Sequence, residues 1–144
     1  MSWPKPAPGL VIRYSYLWRR EHSAGQEEGL KDRPCAIILA MLDEIGELRV
    51  TVLPVTHSAP QDRRAAVELP AATKRRLGLD GERSWIVLTE GNEFAWPGPD
   101  LRPIAGGGAQ SVAVGFLPPT LFRLIRDQFL ALHRQRKAAA VLRS

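Results

Sequence analysis

Apolar residues in this chain fall into short runs separated by proline, glycine and charge, and the runs change period along the sequence. "GLVIRYSY", residues 9–16, mixes β-branched and aromatic residues behind a Pro-Gly lead-in and predicts a strand. "LWRREHSAGQEEGLKD" predicts a long polar connection, a length that inside a compact domain points to function or disorder. "PCAIILAML" is continuously apolar, the pattern of a strand covered on both faces. "DEIGE", with Gly46 at its tip, predicts a turn, and the alternating "LRVTVLPV" predicts a third strand that pairs with the second as a hairpin. Pro54 predicts that this strand stops nearby, or runs at an edge or bulge, because proline has no N–H for a ladder.

Beyond the loop "THSAPQDRR", "PAATKRRLG" predicts a short helix with Pro70 in its first turn and Gly78 as its stop. "SWIVLTE" and "SVAVGFL" predict further strands, with turns at "WPGPD" and "AGGGAQ". The longest element is "PPTLFRLIRDQFLALHRQRK", where Phe122, Ile125, Phe129 and Leu132 share one helical face and Thr120 is a candidate cap. The expectation is a mostly β, α+β fold: a small barrel or highly curved sheet of about five to seven strands, a short helix and a closing C-terminal helix. A single domain is expected, with its core at about 8–132 and a basic tail at about 133–144.

Composition narrows this little, and charge narrows it more. The lone Cys35 excludes an internal disulfide and sits among aliphatics, as a buried hydrophobe would. No Cys/His cluster has zinc spacing and no carboxylate cluster has magnesium spacing, so neither a metal nor a cofactor is expected. No apolar stretch spans a membrane and "MSWPKPAPGL" has no apolar signal core, so the expected location is cytoplasmic. The net charge is +5, and residues 120–144, with six Lys or Arg against one Asp, carry a surplus of that size. Such an excess on one element suits an anionic partner such as RNA, DNA or an acidic protein; a solvated helix face explains it equally well.

Candidate chemistry sits where strands two and three end. If they form a hairpin, Arg33 and the Thr56-His57-Ser58 triplet share one open end, with Glu28 in the preceding loop. An acid, an arginine, a hydroxyl and an imidazole suit cleavage of an RNA phosphodiester without a metal. The 2′-OH needs a base, for which Glu28 or His57 is adequate. Arg33 offers a planar fork to the phosphorane, Thr56 a hydrogen bond, and His57 a proton for the leaving oxygen. The plainer alternative gives Arg33 and Glu28 to surface ion pairing and Thr56 and His57 to an ordinary turn. Trp18, beside Arg19 and Arg20, is a candidate base platform, with Lys31 and Ser58 as further RNA contacts; core packing is the usual role of Trp85 and Trp96.

The blocks "EGLKDRPCAIILA" and "LRVTVLPVTHSAP" resemble the PemK/MazF family of bacterial toxins. That family's pattern is an acid, a glycine-containing turn, "RP" opening an aliphatic strand, and later a strand ending Pro-Ile/Val-Thr. Here Glu28 stands five positions before Arg33, and Pro54-Val55-Thr56 matches the second block. The likeness covers most of residues 8–132. It implies an SH3-like barrel, usually a homodimer, and an endoribonuclease that cuts single-stranded RNA without metal and leaves a 2′,3′-cyclic phosphate. Arg33 and Thr56 carry over as catalytic or phosphate-binding residues, and Glu28 as a third. A cognate antitoxin is implied as partner, and operator DNA through the toxin–antitoxin complex. The chain departs from the pattern at "TEGNEFAWP", where Asn92 replaces an expected arginine and Ala95 an expected acid, and "PAATKRRLGLDGERS" is insertion-like. The alternatives are a barrel that binds nucleic acid without cutting it, and a plain protein-interaction domain.

Overall fold

The computed structural model describes residues 2–23, 32–135 and 139–143. Glu28 and Lys31 therefore lie outside the described residues. Strands β1 (Leu10–Ser15), β2 (Asp32–Leu42) and β3 (Leu48–Thr56) form an antiparallel meander, with β2 central to it. The β2–β3 turn is organised by Asp43, whose carboxylate accepts from the N–H groups of Ile45 and Glu47. Helix α1 (Arg19–Ser23) opens the connection expected to be a loop. After β3 come β4 (Ala66–Glu68), helix α2 (Ala71–Arg76), β5 (Trp85–Val87), β6 (Glu90–Ala95), β7 (Ala113–Phe116), helix α3 (Pro119–Arg134) and β8 (Ala139–Leu142).

These strands make one sheet in the order β4-β5-β3-β2-β1-β7, with β6 paired to β3 and β8 paired in parallel to β6. The sheet divides at β3. Residues 49–52 pair with β6, whereas Val55 and Thr56 pair with β5. Pro54 falls in the gap between the two partners, where a missing N–H costs least. This branching folds the strands into a small barrel-like, mostly β, α+β domain. Among the described residues the strands number eight, one above the expected range. "SWIVLTE" divides between β5 and β6, and β8 is an alanine-rich segment that is a strand because β6 offers it an edge.

Alternation in the central strands serves two cores. Val11, Ala36, Ile38, Leu53 and Val55 face Ile125, Phe129 and Leu132 of α3. Their neighbours Ile12, Tyr14, Cys35, Ile37, Val50 and Val52 face Phe94 and Leu101. Burial on both faces explains the apolar run of β2 only from Cys35 to Ile38; Leu39, Met41 and Leu42, in the same run, are exposed. Thr120 does not cap α3: the helix starts at Pro119 behind Pro118, and the Thr120 hydroxyl instead accepts from Arg123. No helix among the described residues is long and apolar enough to cross a membrane.

Candidate active site

The register of the hairpin places the candidate residues. Cys35 lies opposite Pro54, so continuing two residues brings Arg33 opposite Thr56, with both side chains on one face. They open into a groove of about 720 Å³ that is also lined by Trp18, Arg20, His57 and Ser58. The sequence-derived set is therefore largely gathered in one place. Among the described candidates Arg19 is the exception: it does not line the groove, and its N–H donates to Glu90.

Arg33 is held from two sides. Its Nη1 donates to the Val55 carbonyl at 3.1 Å, and its guanidinium carbon lies 4.9 Å from the Trp18 ring centre. Its Nε is buried without a protein hydrogen-bond partner. A buried guanidinium N–H with nothing to donate to is costly. Trp18 carries Arg20 over its ring as well, at 5.4 Å, and packs edge-on against Tyr16. In this arrangement Trp18 orients arginines by cation–π contact, and a base would share the ring with them. Its backbone N–H donates to Glu21, which fixes the start of α1.

At the other strand end, the Thr56 hydroxyl accepts from the Ser58 N–H at 3.2 Å, turning the chain so that His57 leaves the sheet. His57 Nε2 lies 2.9 Å from Asp80 Oδ2, on the segment after α2. Lys74 of α2, buried despite its charge, donates its ammonium to Asp80 Oδ1 at 2.7 Å, to Ser84 Oγ at 2.6 Å and to the Glu82 carbonyl. The Lys74 contact foremost, with the Glu82 N–H and His57, holds the Asp80 carboxyl down at about 2 against the cost of its desolvation. Asp80 is then an acceptor only, so Nε2 of His57 carries the shared proton and Nδ1 is the nitrogen left for proton transfer.

The sequence reading missed Lys74, Asp80 and Ser84, all supplied by the segment that looked like an insertion. The available signal was the turn Asp80-Gly81-Glu82 just past the Gly78 stop; the burial of Lys74 had none. Cys35 is fully buried, and burial pushes its thiol well above the ordinary range, as suits a packing residue.

Asn92 has a structural role. It is fully buried, accepts from the Leu17 N–H at 2.9 Å and donates to the Leu17 carbonyl at 2.8 Å. Arg143 of the basic tail donates to the same Asn92 oxygen at 2.8 Å, pairs with Asp100 at 2.9 Å and reaches the Ser15 carbonyl. That tail cation is buried inside the protein, so it is not part of a solvent-facing basic stripe. The clamp fixes residue 17, next to Trp18, and so helps to hold the wall against which Arg33 rests. The chain matches no family model and no curated protein.

Proposed function

We propose that this protein is a PemK/MazF-like toxin endoribonuclease that cuts single-stranded RNA by attack of the ribose 2′-OH. The observation that carries the reading is the meeting of Arg33, Thr56 and an Asp80-oriented His57 in one groove. In the step, the 2′-oxygen loses its proton and bonds to phosphorus, and the 5′-oxygen departs with a proton, leaving a 2′,3′-cyclic phosphate and a 5′-hydroxyl. Arg33, which lines the groove, receives the charge gathering on the phosphorane, and Thr56 donates beside it. His57 exchanges the proton through Nδ1 while Asp80 holds the ring. Glu28 keeps the place that the resemblance gives it, as a third catalytic or phosphate-binding residue. The same reading implies an SH3-like barrel, a homodimer and a cognate antitoxin.

The test is cleavage of mixed-sequence single-stranded RNA in EDTA, with end-group analysis of the products. Arg33→Ala is expected to lower the rate by about 100-fold or more, the scale of losing one preorganised charge donor, with the fold retained. Wild-type protein that leaves every RNA intact overturns the enzymatic reading. Asn92 favours the second reading, a barrel that binds nucleic acid without cutting. Where the resemblance leads one to expect an RNA-contacting arginine, this chain has a buried amide engaged with its own backbone. That reading predicts salt-sensitive binding without scission.

A further inference from the structure

At the rim of the groove, three ligand atoms from two separate segments converge. His57 follows β3, whereas Asp80 and Glu82 flank Gly81 after α2. His57 Nε2 is 2.9 Å from Asp80 Oδ2 and 3.7 Å from Glu82 Oε2, and all three atoms lie within 4.8 Å of one another. Around a tetrahedral zinc ion, bonds of about 2.0–2.2 Å set ligand atoms roughly 3.4 Å apart. The two distances from His57 straddle that spacing. We propose that His57, Asp80 and Glu82 form a site for a zinc-class divalent cation, and that filling it blocks the groove chemistry.

The surroundings favour this site over a chance gathering of charge. Asp80 offers the cluster only Oδ2, because Oδ1 is occupied by the Lys74 ammonium and the Glu82 N–H. Those two donors orient the carboxylate as outer hydrogen bonds orient the ligands of metal sites. Lys74 sits on the opposite oxygen, so it lowers the affinity through its charge without occupying a ligand position. An imidazole nitrogen with two carboxylate oxygens suits zinc or cobalt better than magnesium, which favours all-oxygen octahedra. Three protein ligands leave a fourth position open, as in zinc sites that bind an exchangeable water. The metal takes the place of the proton on Nε2; in a neutral ring that proton moves to Nδ1, and an imidazolium, already protonated there, releases one to solvent. Either way Nδ1 no longer serves as a base. The blocking half of the proposal rests on the ribonuclease reading, whereas the binding half does not.

The experiment is titration of the purified chain with ZnCl₂ by calorimetry, and with CoCl₂ by visible absorption. One ion per chain is expected, with the intense visible bands of four-coordinate cobalt. Glu82→Gln keeps the His57–Asp80 contact and is expected to weaken binding by about tenfold or more; His57→Ala should abolish it. Glu82 is exposed, so folding is not at stake in its variant. No uptake at about 100 μM Zn²⁺, or uptake unchanged in Glu82→Gln, overturns the site. In parallel, RNA cleavage in EDTA is compared with cleavage in excess Zn²⁺, with suppression expected in the wild type and a higher inhibitory concentration in Glu82→Gln. A chain that binds zinc but never cuts RNA keeps the site and loses the ribonuclease. A chain that cuts RNA, binds zinc and is not inhibited loses the blocking role alone.

Discussion

Replacing Asn92 by alanine tests whether the wall of the groove is held as described. The substitution removes three hydrogen bonds, two of them to the backbone of Leu17, a residue buried almost completely. Each orphaned buried backbone group costs about 1–3 kcal/mol, so the Leu17 N–H and carbonyl together set a range of about 2–6 kcal/mol. Arg143 loses one acceptor but keeps Asp100 and the Ser15 carbonyl, and adds little. A water entering the vacated polar space recovers part of the loss, leaving about 3 kcal/mol. For a chain of 144 residues that corresponds to a fall in Tm of about 10 °C and in the urea midpoint of about 1.5 M. Equilibrium unfolding in urea measures the total. Amide exchange at Leu17 measures the local part and should change from protected to fast. A loss below about 1 kcal/mol with Leu17 still protected would mean that the amide is not what holds the segment.

Three further outcomes follow from burial. Tyr14 and Tyr16 are the chain's only tyrosines, and burial raises both phenols far above 10, with Glu90 adding to the effect at Tyr16. Their contribution to stability is complete below pH 10, where the unfolded phenols titrate. It declines above that by about 1.4 kcal/mol per group per pH unit. Absorbance at 295 nm should therefore show no tyrosinate until alkaline unfolding, and then both phenols at once; a smooth non-cooperative titration near pH 10 refutes the burial. Cys35 should resist a thiol reagent in the native state and react as fast as a free thiol in denaturant, so stoichiometric labelling of folded protein would contradict its place in the core. In α3, Ile125→Ala should cost about 2–5 kcal/mol, whereas Leu124→Ala, on the exposed face, should stay within about 0.5 kcal/mol in the same unfolding assay.

How much could be foreseen differed between elements. The hairpin was legible because a turn centred on Gly46 between two apolar runs fixes the pairing, and the pairing alone places Arg33 against Thr56. Helix α3 was legible from its apolar face. Asp80 was hidden because its role depends on Lys74, whose burial is decided by how α2 packs, and nothing local in "TKRRLG" announces it. Asn92 was misleading in the opposite way. Compared with a family pattern it looks like a lost contact, yet its partners are a backbone segment some 75 positions away and an arginine in the basic tail. Strand β8 was invisible because "AAVL" has weak strand propensity and takes its conformation from the edge of β6.

The length of β2 separates two ends of the molecule. Arg33 stands near its start, and the exposed turn around Glu44 follows its last residue, Leu42. At about 3.3 Å per residue, the nine steps from Arg33 to Leu42 span up to roughly 30 Å, shortened by the irregularity between Ile37 and Leu39. A fluorophore or surface tether attached at Glu44 therefore stands clear of the groove, and an immobilised chain leaves the groove open to any probe.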